Sequence, residues 1–201
     1  MVPFLLASLS GALLVLSFPN FGHPIVAWLA LAPLIWVIGS VSRWQAAWLG
    51  LLTGTVHFLG TIYWIPSVMI EYGGLPAALA WLVYAAFALY LALFPCLFAV
   101  MLSLIVGRVG NLGMLLAPAV WVTTELGRMY LFTGFPWALI GYSQVPFLAV
   151  AQAASVVGVL GVSALVVSTS AVTAFVLTAG VRRSRLPVAV TTVVVGGTIV
   201  A

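Results

Sequence analysis

PAALAWLVYAAFALYLALFPCLFAVMLSLIV, residues 76–106, runs without a single charged position. A helix needs about 20 apolar residues to cross the hydrocarbon of a bilayer. The run is therefore longer than one straight crossing, and Pro95 is where it is expected to kink. Outward from it the chain repeats the pattern. Apolar runs, cut at charges and at Pro, Gly and Asn clusters, fall at 3–18, 24–41, 45–67, 76–106, 112–132, 147–180 and 187–201. They are continuous rather than alternating, which argues against a β-barrel. The expected fold is all-α: a polytopic membrane helix bundle of about seven transmembrane helices, one domain over 1–201, with no soluble domain.

Composition agrees. Of 201 residues, 65% are hydrophobic and 4% charged, against about 25% charged in a soluble chain. The charges are six Arg and two Glu, with no Lys and no Asp. This excludes a disordered tail, a disulfide scaffold and a nucleic-acid module, because the net charge of +4 is spread too thinly to follow phosphates. Without lysine, chemistry that needs a lysine base, Schiff base or oxyanion clamp cannot be completed by this chain alone.

Three segments need their own reading. Pro118 is a second expected kink. The 147–180 run is expected to split into a short interfacial or re-entrant piece and a span from about Gly158. The last run stops at Ala201 in mid-pattern and reads as a truncated helix. Met1–Phe18 lacks a basic leader and a clear cleavage site, so it reads as a retained first helix.

Arginine sets the expected orientation. Arg43, Arg108 and the group Arg182, Arg183 and Arg185 fall in alternate joints, hence on one side. The remaining joints hold His23 and Glu71 but one Arg only. Five of six arginines on one side mark it as cytoplasmic, with the N-terminus there and the seventh span leaving outward.

The polar exceptions gather on the opposite side. Glu125 and Arg128, three residues apart, share a helical face at the outer end of the fifth span. They either satisfy each other and anchor the helix end, or position a headgroup or hold an outer loop over a lipid-access site. Gly134-Phe135-Pro136 forces a turn. Trp137 and Tyr142 fit either an aromatic belt or a wall where an acyl chain enters. Trp64 and Tyr72 belong to a second outer cluster, Tyr63-Trp64-Ile65-Pro66 and Glu71-Tyr72-Gly73-Gly74. In the third span Thr53, His57 and Thr61 share a face, with Gly50 and Gly54 spaced for close helix packing. His57 reads as a hydrogen-bonded core residue. No phosphate loop and no metal-ligand spacing is present, and Cys96 in its apolar run has no evident base.

Four linked pieces carry a resemblance: Pro118-Ala119-Val120-Trp121, Thr124-Glu125-Leu126-Gly127-Arg128, Thr133-Gly134-Phe135-Pro136-Trp137 and Gly141-Tyr142-Ser143-Gln144. In that order and spacing they resemble the apolipoprotein N-acyltransferase family. Leu16-Ser17-Phe18-Pro19, Trp64 and Tyr72-Gly73-Gly74 support it. The likeness runs from the first span to the start of the seventh and weakens after about residue 160.

The resemblance implies eight membrane helices, with a nitrilase-like hydrolase domain outside the cytoplasmic membrane between the seventh and eighth. It implies transfer of an acyl chain from a phospholipid to the N-terminal amine of a diacylglyceryl-cysteine apolipoprotein. The route is a thioester on an enzyme cysteine, with a glutamate base and a lysine at the oxyanion. Nothing here matches that domain: Lys is absent, and neither Cys96 nor Glu125 is taken as its counterpart. The expectation is the membrane portion of such an acyltransferase, with no catalytic residue in this chain and no cofactor or metal. Its partners would be a phospholipid acyl donor, the apolipoprotein and the bilayer, with no nucleic acid, in the bacterial cytoplasmic (inner) membrane. Trp64, Tyr72, Glu125, Arg128, Phe135, Trp137 and Tyr142 are the expected substrate or lipid-access residues. A non-catalytic membrane scaffold is the alternative. A small transporter is the other, and it would call for mid-span charges and an internal repeat, neither of which is evident.

Overall fold

In the computed structural model, which describes residues 1–180 and 185–200, the regular elements are all helical. The first helix, α1 (Val2–Ser17), carries Pro3 in its opening turn and ends with Phe18 extended before Pro19. The expected span at 24–41 is built in two pieces, α2 (Pro24–Ala30) and α3 (Ala32–Ile38). Pro33 explains the break, since it has no N–H and disfavours helical backbone just before it. At membrane depth the freed groups need protein partners. Ser170 Oγ accepts the Leu31 N–H at 3.3 Å and donates to the Trp28 carbonyl at 2.9 Å. Ser10 Oγ accepts the Leu34 N–H at 3.0 Å.

Helix α4 (Arg43–Thr61) opens on a capping box: Ser42 Oγ accepts the Gln45 N–H and Gln45 Oε1 accepts the Ser42 N–H. It ends six residues short of the expected boundary at 67. Pro66 instead starts α5 (Ile65–Glu71), inclined 48° to α4. Helix α6 (Ala77–Val109) runs through Pro95 unbroken, so the kink expected there is not a helix break. Gly50 and Gly54 bring α4 against it. A Cβ on Gly54 would stand 2.7 Å from Ala92 Cα, and one on Gly50 2.7 Å from Ala99 Cβ. The α1 side is equally tight, with Thr53 Oγ1 donating to the Ala7 carbonyl at 2.9 Å.

At Gly110 (φ 72°) the chain enters a 3-10 helix, Gly110–Leu116, and then α7 (Ala117–Tyr130). Pro118 therefore sits in the first turn of α7 and starts it rather than kinking it. The run 77–133 is helical almost throughout, yet it is a hairpin. Trp121 packs edge-on to Phe98 at 5.1 Å, Phe132 to Tyr90 at 6.0 Å and Phe135 to Phe87 at 5.0 Å. Numbers rise on one arm as they fall on the other, so α6 and α7 are antiparallel.

After a short helix, α8 (Leu148–Gln152), α9 (Ala154–Ala179) is interrupted at Gly158 (φ 67°, ψ 173°), followed by α10 (Arg185–Val200). Two runs, 77–133 and 154–179, are long and apolar enough to cross a membrane, and α4 with α5 makes a third as a bent pair. Cross-contacts fix the helix directions. Gln144 reaches Pro24, Met114 reaches Gly39 and Thr178 reaches Met114. One end of the bundle thus carries Met1, Arg43, Arg108 and the 110–116 turn. The other carries the joints 18–24, 72–76 and 131–146. Arg182 and Arg183 lie outside the described residues, as does the side chain of Arg185.

Candidate functional site

The loop-bearing end is built on the last turn of α7. Glu125 and Arg128 are both buried, and they do not use each other as hydrogen-bond partners. Arg128 donates to the carbonyls of Phe135 (3.4 Å), Trp137 and Ala138 (3.1 Å), and its guanidinium lies 5.2 Å from the Phe58 ring centre. Glu125 Oε1 accepts the Ile140 N–H at 2.7 Å. The two charges lie close enough to attract each other, but their hydrogen bonds go to the loop. They hold the backbone of the 135–140 loop. Charged partners suit this task, because hydrogen bonds in which one group is ionised are stronger than neutral ones.

The loop needs such support. Phe132 (φ 55°), Thr133 (φ 87°) and Ala138 (φ 56°) adopt left-handed backbone, as does Gly134 between them. For residues with a Cβ this conformation is costly and persists only where surrounding structure imposes it. The Phe135 N–H donates to the Arg128 carbonyl at 2.8 Å, closing the loop onto its helix. The following turn is tied on as well. The Gly141 N–H donates to Ser163 Oγ at 3.0 Å, and Gln144 bridges the Trp28 indole and the Pro24 carbonyl.

Trp64 and Trp137 wall one cavity of about 290 Å³, together with Phe18, Pro19, Asn20 and Thr61. It joins three separated stretches: the joint after α1, the bend after α4 and the loop after α7. Behind it His57, buried, pairs through Nδ1 with Thr61 Oγ1 at 3.2 Å, its ring tilted against Phe18 and Phe58. Phe135 stacks on Trp137 at 5.5 Å and meets Phe87 edge-on, outside the cavity. Tyr142 lies in the next turn, 42% exposed. Tyr72, at the end of α5, is 84% exposed and does not reach the cavity. Of the seven residues singled out from sequence, two line the cavity, three support or flank its loop, and Tyr142 and Tyr72 stand apart. Asn20 and Thr61 were missed as lining residues. Phe18-Pro19 was visible only as a motif fragment, with no indication of what it faces.

Larger cavities of about 600 and 420 Å³ lie beside α10, but their lining is almost wholly aliphatic and includes none of these residues. Among the described residues no cluster could hold a metal ion. Cys96 lies within α6, beside Gly50. The cavity offers aromatic surface and neutral polar groups.

Residues 10–172 match the family model described as apolipoprotein N-acyltransferase N-terminal domain. The chain is 38% identical over 192 residues to the apolipoprotein N-acyltransferase of Geobacter metallireducens, covering 95% of this chain and 36% of that protein. It is 42% identical over 164 residues to that of Methylococcus capsulatus, covering 81% and 32% respectively. It is 36% identical over 171 residues to that of Pasteurella multocida, covering 84% and 32%. The chain spans about a third of the length of the curated relatives it matches. It belongs to the apolipoprotein N-acyltransferase family.

Proposed function

We propose that this chain is the membrane portion of an enzyme that moves an acyl chain from a phospholipid to the N-terminal amine of a diacylglyceryl-cysteine apolipoprotein. It anchors the enzyme and guides lipid chains, while the groups that form and break bonds lie outside it. The observation that carries this is the cavity between Trp64 and Trp137, whose loop wall is fixed by Glu125 and Arg128. Phe135 extends its aromatic surroundings by stacking on Trp137, while Tyr142 and Tyr72 stand exposed outside it at the same end of the bundle. The relatives' name supplies the reaction, and the absence of Lys from the sequence agrees with catalysis being supplied elsewhere.

In this reading the seven helical runs each cross a bacterial cytoplasmic membrane, the whole of 1–201 forming one domain. Helix α4, with 19 residues, rises about 28 Å, close to the hydrocarbon thickness of about 30 Å. Exposed Trp44 and Trp48 stand at one end and exposed Tyr63 and Trp64 at the other, as two interfacial belts. Arg43 and Arg108 share the first end, which supports reading that end and Met1 as cytoplasmic. Arg128, the arginine at the opposite end, is buried on loop carbonyls and does not count as a free flanking charge.

The test is to purify the protein from its own membrane, measure its intact mass, and assay acyl transfer from phospholipid to a diacylglyceryl-cysteine peptide. A product longer than 201 residues that carries out the transfer, impaired by Trp137→Ala with the fold retained, supports the proposal. A native product of 201 residues without transfer overturns it in favour of a membrane scaffold.

A further inference from the structure

Resting on the lipid-access reading above, we infer that the Trp64–Trp137 cavity takes an uncharged, ester-bearing segment of a lipid chain and does not read headgroup charge. No ionised side chain lines it. The charged groups nearby do not line it, though Glu125 Oε2 is buried without a hydrogen-bond partner. Arg128 lies under the loop with its N–H groups on three carbonyls. Glu125 faces Ile140. Glu71 sits two turns along α5 from Trp64, and Arg43 and Arg108 are at the opposite end of the bundle. His57 is buried behind Thr61, and His23 is not part of the wall.

The start of α5 offers no anion site either. The Ile65 N–H there is bonded to the Ile62 carbonyl at 3.1 Å, and Pro66 has no N–H. Phosphate recognition draws on Arg, Lys or a free helix N-terminus, and none is available here. What remains is the Asn20 amide, the Thr61 and Tyr63 hydroxyls and two indoles, neutral groups that match an ester carbonyl. Aromatic faces on either side match the first methylenes of its chain. At about 290 Å³ the cavity is at the bottom of the range of about 300–1,000 Å³ for small-molecule sites, so it holds a segment and not a whole lipid.

The competing occupant is an ammonium headgroup held against the aromatic faces. Binding to the purified protein in detergent separates the two. The probes are phosphatidylglycerol, phosphatidylethanolamine and uncharged diacylglycerol with identical chains, measured by native mass spectrometry. The expected result is Kd values within about threefold of one another, all three weakened about five- to tenfold by either Trp137→Ala or Trp64→Ala. Trp137→Phe, which keeps a ring in the wall, should restore most of the loss. A preference of about tenfold or more for the anionic lipid or for the amine-bearing lipid overturns the inference and leaves lipid access standing. If both alanine variants stay folded and change no lipid's binding, the access reading fails with it.

Discussion

The α4–α6 seam and the loop base at the end of α7 are both close-packed, but by opposite means. The seam works by leaving side chains out: Gly50 and Gly54 let two regular helices touch along their backbones. The loop base works by putting charges in: Glu125 and Arg128 are spent on four backbone groups of residues 135–140. The difference follows from what each backbone lacks. A helix satisfies its own N–H and C=O groups, and in lipid only packing is left to gain. A loop satisfies few of its own, so it needs partners, and strong ones.

The comparison makes an ordered set of expectations. Arg128→Ala should be the most damaging change. It strips three carbonyls of their donor and leaves Glu125 without a nearby cation, a loss of about 3–5 kcal/mol in unfolding measured in detergent. Arg128→Lys should recover little, because a point charge cannot span three carbonyls. Gly54→Val should cost about 1–3 kcal/mol by forcing α4 from α6, with the loop end unaffected in protease accessibility. Equal damage from the two changes would erase the distinction between seam and loop.

Ser170→Ala sits between the two mechanisms, since it removes a side-chain partner from a break inside a span. It should cost about 1 kcal/mol, and combining it with Gly54→Val should be additive. Tyr72→Ala should be smallest, within about 0.5 kcal/mol in stability. If acyl transfer falls while unfolding is unchanged, Tyr72 acts at the interface rather than in the fold.

The seam was legible in the sequence and the loop base only half so. Small residues four apart announce a close approach, and the long apolar runs announce the helices, because both signals are local. Glu125 and Arg128 announced themselves as exceptions, but their spacing on one helix face pointed to each other. The actual partners are backbone groups 7 to 15 residues on, which no side-chain pattern records. The serines at the α2–α3 break were silent for the same reason. Ser10 and Ser170 look like tolerated small polar residues until the carbonyl and N–H groups released near Pro33 are located. Proline was the least legible signal. Pro95 is carried within α6, and Pro118 serves as a starting residue.

Phe132 adds one more consequence. It holds left-handed backbone that glycine would adopt without strain, and its ring is 80% exposed beyond its edge contact with Tyr90. In water a bare aromatic on a strained hinge has little to recommend it. Among lipid headgroups an exposed ring is at home. On the proposed topology the residue would serve as a depth gauge, marking the level at which the outer surface of the bilayer meets the protein.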